Sequence, residues 1–395
     1  METQENTMEI EVSIVMPCLN EAETLSTCIQ KAQNTLEVLG IQGEVVVADN
    51  GSTDASVAIA ERLGARVVHQ PLRGYGAAYL AGIAAAEGQY IVMGDSDDTY
   101  DFTDLERFIT PLRDGCDFVI GNRLKGKILP GAMPKLHRYI GNPVLTGILN
   151  VLFRSGVSDA HCGMRSFTRE AYQRMKLQTT GMEFASEMVI KAIKTDLKIK
   201  EIPITYYPRK GESKLNSFRD GWRHLRFMLM LSPTYLFLIP GILLFLLGLI
   251  GTVALLPGPL QIGSRAYDVH VMVLACLLCL LGYQVLLLGL SARTLSVTRG
   301  FSSSEPLTQF VYRHFTLEKG LLLGCVIFAI GFLIDSWIAY GWVKSGFGEL
   351  QKVRPALFAL LLMVLGTQTI FSAFFVSMLG IPTEKNTGYE NSKGP

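Results

Sequence analysis

The sequence has little charge, and what charge it has is unevenly spread. Only 18% of its 395 residues are charged, whereas a soluble globular domain carries about 25%. Residues 228–395 contain 17 charged side chains, and residues 1–227 contain the other 54. A formal net charge of +1 excludes a broadly basic nucleic-acid-binding protein. We therefore predict that the first part is a soluble domain and that the second part is not.

Several kinds of site are also missing. The seven cysteines form no disulfide framework, and Cys276 and Cys279, although spaced as CxxC, lie in an apolar run where helix packing is the expected role. No GxGxxG follows the first strand-like run and no GxxxxGK[ST] occurs, which disfavours a nicotinamide dehydrogenase and a P-loop NTPase. The polar stretch Met1–Glu11 has no apolar signal-peptide core, so we expect no cleavage.

Four nearly uncharged runs in the second part are long enough to cross a bilayer, which takes about 20 residues. They lie at about 235–256, 271–292, 320–343 and 355–381, and only Asp335 interrupts them. Four basic residues between the second and third runs predict a multi-pass protein of the cytoplasmic (inner) membrane, with the first part facing the cytoplasm. Gln284 and Gln368 are expected to form hydrogen bonds between helices.

Residues 217–231 combine an apolar and a basic face at helical spacing. Phe218, Trp222, Leu225 and Leu229 share one face, and three arginines share the next. Because this segment directly precedes a span, an interfacial amphipathic helix is favoured over a plain surface helix. The expected division is a flexible N-terminus (1–10), a catalytic-type α/β domain (11–216), the interfacial helix (217–231), a four-helix transmembrane domain (232–381) and a flexible tail (382–395).

In the soluble part, short β-branched runs alternate with helical stretches, which predicts a Rossmann-like, mostly parallel sheet with helices on both faces. The runs are 12–16, 45–48, 66–69, 90–93 and 118–120, and the helical stretches are about 22–39, 55–63, 77–86 and 104–113. A small-residue stretch, residues 74–78, opens the third of these helices and suits close packing of backbone against a ligand.

Acidic and amide groups follow the ends of these strands, where ligands of such sheets bind. Asp49 and Asp54 follow the second strand, and Asp95, Asp97 and Asp98 follow the fourth. The first pair alone could be a turn and a helix N-cap, and the second set a loop of solvated carboxylates. Yet two carboxylates at one strand end repel one another unless a cation binds there. Mg²⁺ takes carboxylates together with phosphate oxygens, so a metal-bound diphosphate ligand is the simplest occupant.

These motifs, in this order, resemble those of the family 2 glycosyltransferases with a GT-A fold. The early motifs are residues 17–21 (PCLNE), 49–54 (DNGSTD) and 95–97 (DSD). Later motifs resemble the dolichyl- and polyprenyl-phosphate sugar synthase branch; they are residues 121–123 (GNR), 159–165 (DAHCGMR), 184–187 (FASE) and 209–214 (RKGESK). The resemblance implies a GT-A domain followed by the interfacial helix and four transmembrane helices.

The resemblance also implies roles for individual residues. The donor nucleotide would contact Pro17, Glu21, Asp49 and Asp95. Asp95 and Asp97 would hold a divalent metal, Mg²⁺ or Mn²⁺, and Asp97 would also be a catalytic residue. The acceptor phosphate would be bound by Arg123, Arg209, Lys210, Ser213 and Lys214. Arg165 and Glu187 would lie on the sugar or acceptor side. Asp159 is the candidate general base, with a structural carboxylate paired with Arg165 as the alternative. The family more often has a second acid where this chain has Asn50.

The implied reaction is the inverting transfer of a hexose from a nucleotide sugar, UDP-glucose or UDP-N-acetylglucosamine, to a polyprenyl (undecaprenyl or dolichyl) phosphate at the cytoplasmic membrane face. One alternative is a dolichol-phosphate mannose synthase that uses GDP-mannose. A processive polysaccharide synthase would carry a Gln-x-x-Arg-Trp motif, which is absent. A transporter or flippase with a nucleotide-sensing head would need a polar pathway, but the spans hold only one Asp and two Gln. Related proteins favour a homo-oligomer.

Overall fold

The computed structural model describes residues 10–210, 217–298, 316–348 and 352–379. The chain divides into two compact units, Met1–Met228 and Leu229–Pro395, and each is described by itself.

The first unit is built on one seven-stranded sheet. Its strands are β1 (Val12–Cys18), β2 (Gly43–Asp49), β3 (Arg66–His69), β4 (Tyr90–Met93), β5 (Phe118–Ile128), β6 (Arg165–Thr168) and β7 (Ile199–Tyr206). Their order is β3-β2-β1-β4-β6-β5-β7. β6 runs antiparallel to β4 and β5, and the other neighbours are parallel. The mostly parallel sheet predicted from the sequence is confirmed.

Helices cover this sheet. They are α1 (Leu25–Val38), α2 (Ser56–Arg62), α3 (Tyr75–Ala85), α4 (Leu105–Arg113), α5 (Asn142–Phe153), α6 (Arg169–Met175), α7 (Phe184–Lys194) and α8 (Ser217–Met230). A π-helical turn, His137–Gly141, leads into α5. The central strand β1 is fully buried at Val12, Ile14 and Val15, as expected for a strand covered on both faces. These runs of apolar residues hold the polar strand ends at one edge of a rigid core.

Glycines let α3 approach its neighbours closely. A Cβ added to Gly76 would lie 2.3 Å from the carbonyl oxygen of Thr179, and one added to Gly82 would lie 2.5 Å from a methyl group of Val15. Gly74, at the start of the helix, has φ +152°. The small-residue stretch was predicted to pack against a ligand, whereas the structure packs it against the protein's own segment around Thr179.

The second unit contains four helices that are long and apolar enough to cross a membrane. They begin with a π-helical turn, Thr234–Leu238, continuous with α9 (Ile239–Leu255), and continue with α10 (Val269–Thr298), α11 (Leu317–Lys344) and α12 (Val353–Leu379). A short hairpin of β8 (Leu260–Ile262) and β9 (Arg265–Tyr267) joins α9 to α10. The four predicted spans are thus present as helices, with a mean hydropathy of 2.0 to 2.6 in their most apolar windows.

Side chains predicted to pack or pair between these helices do so. Cys276 and Cys279 are free thiols buried in the apolar cluster with Leu255 and Leu361, so the CxxC spacing marks packing residues. The Gln368 amide donates to Gln284 Oε1 at 2.9 Å. Amide pairs of this kind are a common link between membrane helices.

Candidate functional site

The carboxyl end of β2 presents a buried carboxylate held by its own turn. Asp49 accepts hydrogen bonds from the backbone N–H groups of Ser52 (3.0 Å) and Gly51 (3.3 Å), and His69 Nδ1 lies 3.3 Å away. Burial alone would raise the pKa of Asp49, but hydrogen bonds from Ser52, His69 and Gly51 lower it below its ordinary value. Asp49 is therefore an anion at neutral pH.

Asn50, which stands where the family often has a second acid, is a structural residue. Its amide donates to the carbonyls of Gln70 (3.0 Å) and Leu72 (2.8 Å), and its oxygen accepts from Gly74 N–H at 2.7 Å. The side chain thus ties the end of β2 to the loop that opens α3.

The loop after β4 carries the two carboxylates predicted to bind a metal. Asp95 Oδ1 accepts from the hydroxyls of Tyr75 (3.1 Å) and Tyr79 (3.2 Å). Burial, together with the nearby charge of Asp97, raises the pKa of Asp95 to about 7. Asp97 accepts from the Thr99 hydroxyl at 2.6 Å. Burial is the larger cause of this raised pKa and the charge of Asp97 adds to it, so a bound cation would stabilise the ionised form of Asp95.

The basic residues that follow β7 lie against these acids. Arg209 Nη2 is 2.6 Å from Glu21 Oε1, and its Nη1 is 3.2 Å from Asp97 Oδ2. Lys210 Nζ is 2.8 Å from Asp98, which also pairs with Lys31 at 2.8 Å. Both cations were predicted at the acceptor phosphate, whereas the structure places them on the acidic edge of the sheet.

Arg123 and Asp159 form a buried ion pair. Arg123 Nε and Nη2 donate to the two carboxylate oxygens at 2.8 Å each, and the Arg123 N–H donates at 3.0 Å. The guanidinium also lies 5.3 Å from the centre of the Tyr206 ring. Burial disfavours the charged form of Asp159, but Arg123 holds the pKa of that carboxyl below its usual range. The alternative pairing of Asp159 with Arg165 is wrong, and a carboxylate engaged in this way is poorly placed to act as a base.

Arg165 and Glu187 are fully buried and engaged elsewhere. The Arg165 guanidinium donates to the carbonyls of Ala160, Cys162 and Ala185 at 2.7 to 2.8 Å. Glu187 accepts from the N–H groups of Gln178 and Thr179 and pairs with Lys191 at 2.8 Å. These side chains fix the loops around the site, and their place on the sugar or acceptor side stays a prediction. Ser213 and Lys214, predicted at the acceptor phosphate, lie outside the described residues.

One cavity of about 650 Å³ gathers the remaining candidates. The predicted residues that line it are Pro17, Glu21, Asp95, Asp97, Arg123 and Arg209. Asp49, Lys210, Asp159, Arg165 and Glu187 are not among its lining residues. The cavity therefore has a carboxylate wall, made by Glu21, Asp95 and Asp97, and a second wall that contains Arg123.

Sequence reasoning missed several side chains of this cavity. Tyr75, Tyr206 and His224 line it, but no spacing or motif marks them as polar contacts of a site. His224 lies on α8, whose sequence was interpreted only as a membrane-facing helix. Its pattern of one histidine among apolar and basic residues gave no signal of a second, inward-facing role.

The first unit also exposes apolar side chains on two helices beside the cavity. Phe218 and Trp222 on α8 are 89% and 55% exposed. On α5 and the turn before it, Tyr139, Ile140 and Val144 are more than half exposed. Both segments contribute cavity-lining residues as well. Apolar surface of this extent marks a binding surface more often than a solvated one.

Comparison with known proteins gives consistent matches over both units. Residues 13–176 match Glycosyl transferase family 2, and residues 290–380 match the glycosyltransferase family 2 C-terminal transmembrane region. With the four apolar helices, the second match identifies a multi-pass membrane protein.

Three relatives come from Haloferax volcanii. The low-salt glycan biosynthesis hexosyltransferase Agl6 is 44% identical over 370 residues, covering 93% of this chain and 89% of that protein. Glycosyltransferase AglJ is 35% identical over 213 residues, covering 53% and 68%. The dolichyl-phosphate hexose transferase is 33% identical over 214 residues, covering 53% and 89%.

Proposed function

The chain belongs to glycosyltransferase family 2, and on that basis we propose that it transfers a hexose from a nucleotide sugar to a polyprenyl phosphate, with inversion at the anomeric carbon. The observation that carries the proposal is that Asp95, Asp97 and Arg123 line the same cavity. Carboxylates suit a metal-bound diphosphate, and a guanidinium suits a phosphate monoester. A relative named for dolichyl phosphate supports the choice of acceptor.

The carboxylate wall fits a divalent metal such as Mg²⁺ or Mn²⁺. Within the described residues, no three His, Cys, Asp or Glu side chains are grouped as metal ligands. Two carboxylates completed by ligand phosphates are the usual arrangement for Mg²⁺. Gly163 leaves room beside the pair, because a Cβ there would lie 2.8 Å from Asp95 Oδ2. Asp95 and Asp97 would hold the ion, which would offset the charge of the leaving diphosphate.

Arg123 is the proposed anchor of the acceptor phosphate. Asp159 engages its Nε and Nη2, which fixes the guanidinium in one orientation and leaves Nη1 for a ligand in the cavity. A phosphate held there would attack the anomeric carbon from the side opposite the leaving diphosphate, since attack from that side inverts configuration. Positioning supplies much of the rate enhancement in such a transfer.

The exposed apolar faces of α5 and α8 explain how a lipid acceptor would reach the cavity. Both segments line it with some residues and expose aromatic or aliphatic side chains with others. Amphipathic helices of this kind lie in the headgroup region, where a lipid phosphate is found. The basic residues around the first three spans favour the cytoplasmic face of the inner membrane for this unit.

For the sugar donor we propose UDP-glucose or UDP-N-acetylglucosamine, with GDP-mannose as the alternative. These donors differ in single hydroxyl or amide groups on the sugar, and in the base.

The experiment incubates the purified full-length protein with Mg²⁺ or Mn²⁺, dolichyl or undecaprenyl phosphate and each of the three donors, and follows the lipid product by mass spectrometry. We expect a lipid-linked hexose with one donor and its loss in Asp97→Asn. Asp114→Asn, at an exposed carboxylate after α4, is the matched control and should retain activity. If no donor gives a lipid-linked sugar, the proposed function is wrong.

A further inference from the structure

Two histidines and a serine form a connected group at the cavity, apart from the carboxylate wall. Ser186 Oγ, fully buried on α7, lies 2.8 Å from His224 Nδ1 and 3.3 Å from His161 Nε2. The two rings meet edge to face with centroids 4.6 Å apart. Both histidines line the cavity that contains Asp95 and Arg123. No step described so far uses these three side chains.

The protonation states of the two rings are linked through Ser186. A hydroxyl has one proton, so when it donates to one neighbouring nitrogen it must accept from the other. If Ser186 donates to His224, then His161 Nε2 carries a proton and His161 Nδ1 is an acceptor. Among the described residues, His161 Nδ1 is buried and has no hydrogen-bond partner. A buried nitrogen without a partner, on a ring that lines a ligand cavity, points to a hydrogen bond supplied by a ligand.

Both rings are neutral at physiological pH. Burial and the neighbouring His224 lower the pKa of His161 well below its ordinary value. Burial lowers the pKa of His224 to about 4. The charged groups that act on one or both rings are Arg123, Asp159, Arg165 and Asp220. A neutral imidazole can accept a proton at one nitrogen while releasing another, as a relay requires.

We propose that His161 removes the last proton of the acceptor phosphate, and that Ser186 and His224 carry this proton away from the phosphate. This inference rests on the proposed function. The O–H bond of the phosphate monoanion breaks as His161 Nδ1 gains its proton. The Nε2 proton of His161 passes to Ser186 Oγ, the serine proton passes to His224 Nδ1, and the Nε2 proton of His224 is released to water. The freed phosphate oxygen bonds to the anomeric carbon, and the electron pair of the broken C–O bond leaves with the nucleotide diphosphate.

A weakly basic relay is sufficient for this task. A phosphate monoester keeps its second proton up to a pKa of about 6, whereas the phosphodiester product is a much stronger acid. The proton therefore becomes more acidic as the bond to the sugar forms, and a base with a lowered pKa can take it. Asp159 is not available for this role, because Arg123 occupies its carboxylate.

The test is the pH dependence of transfer by the full-length protein in detergent. His161→Gln keeps an amide opposite Ser186 but loses Nδ1, and Ser186→Ala interrupts the chain while leaving His161 in place. At about pH 5.5 the acceptor is mostly the monoanion, and we expect both variants to lose at least about tenfold in kcat/KM for the acceptor. At about pH 8.5 the acceptor is a dianion that needs no base, and we expect a loss below about threefold.

His270→Gln, at an exposed histidine of the second unit, is the control and should follow the wild-type profile. A loss of equal size at both pH values would mean that the three side chains only hold the fold, and would overturn the proposal. This outcome differs from a failure of the proposed function, in which the wild-type protein itself makes no lipid-linked sugar.

Discussion

The two walls of the cavity are built in different ways. The carboxylate wall comes from loops at strand ends, and its acids accept hydrogen bonds from hydroxyls and the Arg209 guanidinium near the cavity. The second wall rests on Arg123 and Asp159, which lie 36 residues apart in sequence and bury their charges together. The first wall is thus held by polar contacts of its loop residues, whereas the second wall depends on one ion pair whose carboxylate is fully buried. Substitutions in the first wall should therefore lower activity more than stability, and substitutions in the second wall should lower stability.

The largest effect on stability is expected for Asp159→Asn. The substitution leaves the Arg123 guanidinium buried without its anionic partner, which costs about 3–5 kcal/mol. Chemical or thermal unfolding of the full chain in detergent measures the change. Replacing both residues together, as in Arg123→Met with Asp159→Leu, should cost much less because no charge remains buried. A loss below about 1 kcal/mol in Asp159→Asn would show that the second wall does not depend on this ion pair.

On the carboxylate wall, Asp97→Asn should damage activity and spare the fold. Losing one of the two carboxylates at the proposed metal site is expected to lower the rate at least about a hundredfold, equal to about 2.7 kcal/mol in activation free energy. The melting temperature should change little, because removing the repulsion with Asp95 offsets the loss of the pairing with Arg209. A hundredfold loss accompanied by unfolding would contradict the distinction between the walls.

Helix α3 supports the carboxylate wall through Tyr75 and Tyr79, which donate to Asp95, and Gly76→Ala tests how closely this helix is packed. The new Cβ would lie 2.3 Å from Thr179 O and 2.9 Å from Phe184 Cβ, so backbone must move at a cost of about 1–3 kcal/mol. Gly147→Ala in α5, where a Cβ meets nothing within 4 Å, is the matched control. It should stabilise the protein by about 0.5–1 kcal/mol. Equal melting temperatures for the two variants would refute this account of α3.

The smallest effect is expected at the outer side of the carboxylate wall, in Lys31→Ala. Burial alone would raise the pKa of Asp98. The hydrogen bonds and charges of Lys210 and Lys31 together outweigh burial and lower this pKa below its ordinary value. A carboxyl whose folded pKa is depressed stabilises the fold above its unfolded pKa of about 3.9, and this stabilisation is lost as the pH falls through the folded pKa. The pair should contribute about 0.2–1 kcal/mol at neutral pH. Unfolding midpoints of wild type and variant should differ at pH 7 and converge towards about pH 3. A constant difference would exclude the ion pair as its cause.

The parts of the fold that the sequence predicted are those with continuous apolar patterns. All five predicted strands of the soluble domain and the four spans contain such runs, and each is present. β6 was not predicted, because its sequence, Arg165-Ser-Phe-Thr168, is half polar. It lies inside the sheet nonetheless, because Arg165 donates to three backbone carbonyls and Ser166 donates to that of Phe108. Bonds of this kind connect distant segments and leave no periodic pattern in the sequence.

The residues of the candidate site also fall into those that the sequence could predict and those that it could not. Asp95 and Asp97 could be predicted because their position after a strand end determines where they lie. The partner of Asp159 could not, since the sequence suggested the nearby Arg165, whereas folding brings Arg123 to it from 36 residues away. Arg209 and Lys210 were assigned to the acceptor by resemblance, yet in the structure the nearby acids attract them. His224 on α8 contacts Ser186 only because α8 packs against α7, and no local sequence pattern predicts that packing.

Arg123→Lys tests most directly whether the carboxylate wall binds the nucleotide sugar and the second wall binds the acceptor phosphate. Lysine keeps the positive charge but cannot hold Asp159 with two parallel hydrogen bonds and still present a fixed donor to the cavity. Nucleotide-sugar affinity, measured by calorimetry without acceptor, should stay within about twofold of wild type, while the KM for polyprenyl phosphate should rise at least about tenfold, or about 1.4 kcal/mol. If the substitution weakens nucleotide-sugar binding and leaves the KM for the lipid unchanged, the acceptor does not bind at Arg123 and the assignment of the two walls is wrong.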